Sequence, residues 1–146
     1  MKFLKERAGP TVIFAPGLLD KLRPFASASL TVTDMPLALQ QVAAEADLVI
    51  HNGTHGTTAE MLLAGKACLS IPLTMEQAIL ARRIAQIGAG TTAAGNNAAQ
   101  IIRAIDAMLQ TDQYAQAARR FAKRHAWFDP KKALADVVER LERLAV

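Results

Sequence analysis

Short apolar runs alternate with longer amphipathic stretches along this sequence. The short runs are rich in β-branched residues and end at Pro, Gly or Asp, which predicts buried strands, whereas the Ala- and Leu-rich stretches predict helices. The predicted strands are Thr11–Ala15, Leu30–Thr33, Asp47–His51, Ala67–Ile71 and a short one at Thr91–Ala94. The predicted helices are one or two turns within Leu18–Phe25, then Leu37–Glu45, Thr57–Ala64 (capped by Gly65), Glu76–Ile87, Ala98–Leu109, Asp112–His125 and about Lys131–Leu144.

Strands that alternate with helices at this spacing indicate βαβ units, and therefore an α/β fold with a parallel sheet flanked by helices. Neither an internal repeat nor a low-complexity linker divides the sequence. We therefore expect a single domain over residues 1–146.

Composition supports a folded, aliphatic protein. Hydrophobic residues make up 51% of the 146 positions, which argues against disorder, and aromatic residues only 5%. The single cysteine, Cys68, lies in the apolar run Ala67–Ile71, where it is expected to be a small core residue and not a nucleophile or ligand. One cysteine forms no disulfide within its own chain, which suits a reducing cytoplasm.

The net charge of +4 does not alter the predicted class of protein. Because no nucleic-acid motif accompanies the basic residues, they are interpreted as solvated helix faces, and no nucleic-acid partner is expected. No apolar run approaches the roughly 20 residues of a membrane span, and the N-terminus lacks the apolar centre of a signal peptide. A cytoplasmic protein is expected, with peripheral membrane binding as the alternative. Much of the positive excess is local, at Arg119, Arg120, Lys123, Arg124, Lys131 and Lys132.

A glycine-containing loop, Asn52–Gly56, follows the third predicted strand and opens a helix. In open parallel sheets, ligands bind at the carboxyl ends of the strands. Free N–H groups at the helix start, expected at Gly56, Thr57 and Thr58, suit a phosphate, and Gly53 permits close approach of the backbone. The alternative is a plain glycine loop in which Thr57 is only the helix N-cap.

Acidic and amide side chains follow at two places. Glu60 lies one turn into the helix, where its carboxylate suits a ribose diol, or alternatively only interacts with the helix dipole. The loop Pro72–Gln77 follows the fourth strand, and its Glu76 and Gln77 offer the acceptors and donors that a polyhydroxylated ligand needs. Because the two loops follow adjacent strands, we expect them to line one crevice.

The segment Asp34–Gln77 resembles the donor-binding signature of UDP-glycosyltransferase-like enzymes of GT-B fold. That signature runs W-x-P-Q, H-x-G-x-x-[ST]-x-x-E, G-x-P and P-x-x-x-[DE]-Q. Its four blocks correspond here, without a gap, to Pro36, Asn52–Glu60, Gly65–Ala67 and Pro72–Gln77. Bacterial members with the sequence H-G-G-H-G-T are the most similar.

The resemblance implies a Rossmann-like sheet, the C-terminal half of a GT-B fold, that binds a UDP-sugar or TDP-sugar. It implies hexosyl transfer with inversion to an acceptor that the sequence does not identify, without a metal or cofactor. The helix N-terminus would then stabilise the departing diphosphate. The acceptor-activating base comes from the other half of such enzymes, so no residue of this chain is assigned a catalytic role.

Three groups of donor contacts are implied by the same resemblance. Glu60 would hold the ribose, Glu76 and Gln77 the transferred sugar, and Met35 and Pro36 would lie by the base. The residues implied in and around the diphosphate site are Asn52, Gly53, His55, Gly56, Thr57 and Thr58.

This sequence departs from the family pattern at informative positions. Asp34 stands where the family has the Trp that stacks on uracil, which leaves uridine and thymidine nucleotides both open. Asn52 replaces the usual His, so an amide without charge would face the phosphate. His51 points the opposite way along the strand and is expected to be structural. For His55, a phosphate contact and a role in loop packing both remain open.

Family members have two domains, and this sequence resembles only one of them. No strand ending in a Gly-Ser turn precedes Thr11, and Phe3–Arg7 is interpreted as the end of the helix that follows such a strand. We therefore expect a sheet that lacks a normally internal strand.

Three explanations stay open for this expectation: a truncated chain, a natural subunit completed by an acceptor-binding partner, or a homo-oligomer that covers the edge. A non-catalytic nucleotide-binding module is the alternative function, and a nucleotide-sugar epimerase or hydrolase is a third.

Overall fold

Parallel strands and helices alternate through the protein. The computed structural model describes residues 3–4 and 9–144. The strands are β1 (Thr11–Phe14), β2 (Leu30–Thr33), β3 (Leu48–His51), β4 (Ala67–Ser70) and β5 (Gly90–Thr92). The helices are α1 (Leu19–Leu22), α2 (Leu39–Glu45), α3 (His55–Leu63), α4 (Met75–Gln86), α5 (Ala98–Gln110), α6 (Gln113–Arg124) and α7 (Pro130–Leu144), with a 3₁₀ turn at Arg23–Phe25.

Each predicted strand and helix is present, and the differences concern boundaries. The helix expected from Thr57 begins at His55, because Thr54 and not Thr57 takes the extended N-cap conformation. Gly56 therefore lies inside α3 and not in the loop. The expected helix end at Phe3–Arg7 falls largely outside the described residues, of which Phe3 and Leu4 are helical.

The strands form two sheets and not the one that the sequence suggested. β1 pairs in parallel with β2, and β4 pairs in parallel with β3 and β5 on its two sides. Within the described chain, every strand except β4 keeps one edge without a partner strand, and β1 and β3 are among them. Large apolar side chains on these two strands are exposed, at Val12, Phe14 and Ile50. This division fits the expectation that a normally internal strand is missing.

The core is centred on β4, whose four residues are all buried. On one face, Cys68 packs with Val49 of β3 and Met61 of α3. On the other face, Leu69 packs with aliphatic side chains of α5, including Ile105. Burial raises the pKa of the Cys68 thiol to about 12, so the thiol stays protonated at neutral pH, in agreement with its predicted role as a core residue.

The end of α3 is fixed by Gly65, as predicted. Gly65 has a φ of 74°, and its N–H donates to the Leu62 carbonyl while Lys66 N–H donates to the Met61 carbonyl. These two bonds form a Schellman motif. A Cβ at Gly65 would lie 3.4 Å from the Cα of Arg119, so α6 crosses closely over this turn. The motif therefore fixes α3 against α6 and leads the chain directly into β4.

The last helix, α7, contains no buried residue. Its apolar residues Leu134, Val137, Val138 and Leu141 recur at helical spacing and are exposed on the surface. Among residues 3–4 and 9–144, no helix combines the length and apolarity needed to cross a bilayer.

Candidate functional site

The loop between β3 and α3 makes a tight turn at Gly53. Gly53 has a φ of 84°, a conformation that residues with a side chain rarely adopt. Thr54 follows in an extended conformation as the N-cap of α3, and its hydroxyl donates to Thr57 Oγ1 over 3.2 Å. The turn thus directs the N-terminus of α3 to the carboxyl edge of the three-stranded sheet.

The first hydrogen bond within α3 runs from Thr58 N–H to the Thr54 carbonyl, over 3.0 Å. The prediction of a free N–H at Thr58 is therefore wrong, because the helix begins two residues earlier than expected. N–H groups of the first three helical residues have no acceptor inside a helix. His55, Gly56 and Thr57 are thus the residues whose N–H groups face outward to a ligand.

The residues of α3 differ in burial around the helix. Glu60 is four positions after Gly56 and three after Thr57, so these residues share a helix face. Glu60 is partly buried there. Thr58, by contrast, is only 2% exposed and packs inward. The Glu60 carboxylate therefore lies on the same face of α3 as Gly56 and Thr57, one turn after the N–H groups at the helix start.

The loop between β4 and α4 is held by a capping box. Thr74 is the N-cap of α4, and its Oγ1 accepts the Gln77 N–H over 3.3 Å. In return, Gln77 Oε1 accepts the N–H groups of Leu73, over 2.7 Å, and Thr74, over 3.3 Å. The side-chain oxygen of Gln77 is thus engaged with the backbone, and its amide nitrogen is the atom left for a ligand. Glu76, the residue before it, is exposed.

The two loops touch, as their adjacent strands predicted. A Cβ at Gly53 would lie 3.3 Å from the backbone oxygen of Gln77 and 3.6 Å from its Cβ. The N-terminus of α3 and the polar start of α4 are therefore neighbours at the carboxyl edge of the three-stranded sheet.

His55 lies on a different side of α3. It borders an apolar groove of about 260 Å³ between helices α3, α4 and α6, together with Leu80, Arg83 and Phe121. Its N–H faces outward with those of the next two residues, but its side chain belongs to the groove. The structure thus favours the packing role for the His55 side chain.

Met35 and Pro36 are placed apart from the two loops. They follow β2, in the two-stranded sheet, and both are exposed. The N–H of Met35 donates to Thr33 Oγ1 over 3.0 Å, which closes a turn at the end of that strand. The structure therefore brings the two loops together. Among the described residues, no hydrogen bond joins Met35 or Pro36 to either loop.

His51, which is predicted to be structural, makes a specific hydrogen bond in the loop. Its Nδ1 accepts the N–H of Gly53 over 3.0 Å, so the ring holds the turn of the loop. Burial lowers the pKa of His51, which favours the neutral ring that this bond requires. The spacing of two positions between a histidine and a loop glycine is the only signal in the sequence, and it does not specify this bond.

The two loops carry no lysine or arginine between residues 52 and 60 or between 72 and 77. An anion at this edge would therefore be held by backbone N–H groups, hydroxyls and the Asn52 amide, as at other helix N-termini. In residues 3–4 and 9–144, no group of three or more His, Cys, Asp or Glu side chains is arranged to hold a metal ion.

No family model matches this sequence, and no curated protein matches it. Solved structures do match its fold. The spinosyn rhamnosyltransferase SpnG superposes with a TM-score of 0.76 over 94% of this chain and 38% of its own, at 23% identity. The glycosyltransferase VinC, in complex with DTDP, gives 0.79 over 97% and 36% at 15% identity.

A third match is the Streptomyces sp. SF2575 glycosyltransferase SsfS6, complexed with thymidine diphosphate. It gives a TM-score of 0.65 over 96% of this chain and 44% of its own, at 23% identity. The chain thus spans less than half the length of each of these structures. Identities this low establish the fold: a Rossmann-like α/β arrangement shared with GT-B glycosyltransferases.

Proposed function

We propose that this chain is the nucleotide-sugar-binding domain of a GT-B glycosyltransferase, with residues 1–146 forming that one domain. The observation that carries the proposal is the contact of Gly53 with Gln77, since it joins two loops with different chemistry. One loop offers the N–H groups of a helix start, which suit a diphosphate. The other offers Glu76 and the Gln77 amide, which suit sugar hydroxyls.

The diphosphate binds at the start of α3. The N–H groups of His55, Gly56 and Thr57 point to it, and the Thr57 hydroxyl and the Asn52 amide add donors. Thymidine diphosphate is the first ligand to test, because VinC and SsfS6 were solved with it and their folds match this chain. Uridine diphosphate is the second, because the signature in the sequence is that of UDP-glycosyltransferase-like enzymes.

The rest of the donor extends along the crevice in both directions. The Glu60 carboxylate accepts hydrogen bonds from the ribose hydroxyls, one helical turn from the phosphate-facing N–H groups. Glu76 accepts from hydroxyls of the transferred sugar, and the Gln77 amide nitrogen donates to them. Met35 and Pro36, at the end of β2, border the base.

Catalysis by such a domain consists of leaving-group stabilisation. As the bond between the anomeric carbon and the diphosphate oxygen breaks, negative charge grows on the diphosphate, and the N-terminus of α3 stabilises it. The acceptor oxygen attacks the opposite face of that carbon, so the configuration inverts. Its proton passes to a base outside this domain, and the proposed reaction uses no metal or cofactor.

Because the chain spans 36% to 44% of VinC and SsfS6, the activity is proposed for a larger assembly. An acceptor-binding domain or subunit completes the crevice, and a further parallel strand fills the free edges of β1 and β3. Without that strand, a second copy of the chain is the expected cover for these edges.

A non-catalytic nucleotide-binding module is the second candidate, and Asn52 is the observation that favours it. An amide at this position cannot carry the positive charge that a histidine brings to the leaving group. Both candidates bind the diphosphate, so only turnover in the presence of an acceptor half separates them.

Calorimetric titration of the chain with thymidine diphosphate, uridine diphosphate and their glucose conjugates tests the donor site. We expect one nucleoside diphosphate to bind, and its glucose conjugate to bind more tightly. The matched control is the Glu60→Ala variant, which should lose affinity for both. Absence of binding at millimolar ligand, by protein shown to be folded, would contradict a donor site built by this chain.

A further inference from the structure

The last helix, α7, carries an apolar stripe that the described chain leaves open to solvent. Five large aliphatic side chains recur three and four positions apart and are all exposed, and α7 contains no buried residue. Soluble proteins rarely leave a contiguous row of large apolar side chains in water unless the row binds a partner. The stripe therefore marks an interaction surface. Its members are Leu134, Val137, Val138, Leu141 and Leu144.

Two aromatic residues stand directly before this helix. Trp127 is 77% exposed, and Phe128 is exposed beside it, with the two ring centroids 6.1 Å apart in an edge-on arrangement. The carboxylate of Asp129 accepts the N–H groups of Lys131, over 2.8 Å, and Lys132, over 3.3 Å, so it caps α7 immediately after the aromatic pair. Tryptophan is enriched at the boundary between lipid and water, because its ring is apolar and its N–H is polar.

The positive charge of the chain lies in the same segment. Residues 113–144 contain eight lysines and arginines and four acidic residues, whereas residues 1–112 contain nine of each. The net charge of +4 therefore comes entirely from α6, α7 and the turn between them, and every basic side chain there is exposed. Basic clusters on or beside an amphipathic helix attract the anionic surface of a membrane.

The charges of α7 are arranged around its stripe. Since about 3.6 residues complete one turn of a helix, Lys131 and Arg140 border the stripe on its two sides. Long basic side chains at such positions reach the headgroups while their stems lie on apolar surface. Of the three acids of α7, only Glu142 borders the stripe, and Glu139, on the opposite face, is paired with Arg143.

A broad surface suits this stripe better than a second copy of the same helix. A coiled-coil seam is the narrower row of a and d positions, and it is typically sustained over about three or four heptads. Here that row runs only from Leu134 to Leu144, fewer than two full heptads, and Val138 widens it to one side. The stripe is thus too short and too wide for a helix pair.

We propose that α7, with Trp127 and Phe128 before it, binds the anionic surface of a lipid membrane. The helix lies in the plane of the interface, where its apolar stripe and the indole enter the boundary between headgroups and acyl chains. The basic residues of the segment attract the anionic headgroups. None of these residues belongs to the two donor loops, so the proposal does not rest on the proposed function.

The fluorescence of Trp127 tests the proposal directly, because it is the single tryptophan of the chain. Titration of the full chain with mixed vesicles of phosphatidylglycerol and phosphatidylcholine should shift its emission to shorter wavelength. Vesicles of phosphatidylcholine alone should leave the emission unchanged at the same lipid concentration. Brominated acyl chains in the mixed vesicles should quench it, and added salt should weaken the binding, because salt screens exposed charges.

Leu141→Gln tests the stripe. Leu141 is 61% exposed, so the variant should fold as the wild type does, which thermal unfolding checks. Its affinity for the mixed vesicles should fall by about tenfold, the effect of withdrawing one leucine from the apolar boundary. The matched control is Ile79→Gln on α4, where a side chain that is 54% exposed is replaced in the same way, and its affinity should not change.

Replacing Lys131 and Lys132 together by glutamine tests the charge. Each basic residue near an anionic surface contributes a factor of about five, so this double variant should bind the mixed vesicles about 25-fold more weakly. Replacing Arg82 and Arg83 by glutamine removes the same charge from adjacent exposed positions of α4. That control should keep most of the affinity.

An emission spectrum that the mixed vesicles leave unchanged would overturn the proposal. So would equal losses in Leu141→Gln and Ile79→Gln, or in the two charge variants, since the attraction would then belong to the chain as a whole. If the vesicles do not bind and Leu141→Gln shifts sedimentation velocity profiles to the monomer, the stripe is covered by a second copy of the chain instead.

Discussion

Gly53 packs directly against Gln77, so that a Cβ at Gly53 would lie 3.3 Å from the Gln77 backbone oxygen. The glycine belongs to the loop after β3, and the glutamine to the first turn of α4. Each loop carries a different kind of polar group. Their contact places both kinds of group beside each other in one candidate site. The spacing of the two loops therefore depends on a position where a side chain would be strained.

Replacing this glycine should cost both stability and binding. Gly53→Ala forces a side chain into a φ of 84°, at about 1–2 kcal/mol, and adds the close contact with Gln77. Gly17→Ala is the matched control, since Gly17 has a φ of 72° but nothing within 4 Å of an added Cβ. Urea unfolding should show a larger loss for Gly53→Ala, and calorimetry should show loss of thymidine diphosphate binding for that variant only. Equal losses in both variants would mean that the contact between the loops is unimportant.

Gln77 has two separable roles, because its oxygen caps α4 and its nitrogen is left for a ligand. Gln77→Ala should destabilise the chain by about 1 kcal/mol, since two backbone N–H groups lose their acceptor. Gln77→Glu keeps an acceptor in the capping box and should retain stability.

The two variants should nevertheless agree in ligand binding. Each should weaken a thymidine diphosphate sugar more than free thymidine diphosphate, because each lacks the amide donor. Stability comes from thermal unfolding and the affinities from calorimetry. If Gln77→Glu bound the thymidine diphosphate sugar as tightly as the wild type does, the Gln77 amide would not be a sugar contact.

The local pattern of apolar and polar residues was enough to predict the strands, the helices and the two loops. A strand such as Thr11–Ala15, or a glycine-containing loop, can be recognised from a few consecutive residues. It failed at the start of α3. Thr54 and Thr57 are both good N-cap residues, and only the hydrogen bond of Thr58 to the Thr54 carbonyl shows which of them caps. Pairing across a sheet is non-local, so the strand patterns alone did not show the division into two sheets, which only the expected missing strand suggested. The bond of His51 to Gly53 is local, but it depends on the orientation of the imidazole, which the sequence does not specify.

The Glu60 carboxylate should matter for the ribose and not for the phosphates. Glu60→Ala is expected to weaken thymidine diphosphate by about 1–3 kcal/mol, while inorganic pyrophosphate, which lacks the sugar, should bind as in the wild type. Glu45→Ala, at an exposed acid that ends α2, controls for the change in net charge. A parallel loss for pyrophosphate would assign Glu60 to the shape of the phosphate site instead.

The free edges of β1 and β3 should drive self-association in the isolated chain. Val12 on β1 is 55% exposed, and a charge on an edge strand opposes pairing with another chain. Val12→Lys should therefore shift sedimentation velocity profiles to the monomer. Leu134→Lys, on the exposed stripe of α7, adds the same charge elsewhere and should leave the association unchanged. If only Leu134→Lys dissociates the protein, α7 is the contact surface.

His51 should make the stability of the chain depend on mildly acid pH. Burial lowers the pKa of His51 below its ordinary value of 6.5 in the folded chain, so the unfolded chain takes up the proton first. Stability is therefore complete above pH 6.5 and decreases as the pH falls below it, until the folded pKa is reached. Protonation of the folded chain would also remove the lone pair on Nδ1 that accepts the Gly53 N–H. Urea unfolding at a series of pH values should show this slope in the wild type and a weaker one in His51→Gln, whose side chain does not titrate. A slope that persists unchanged in the variant would assign the effect to other groups, since His55 and His125 remain in both proteins.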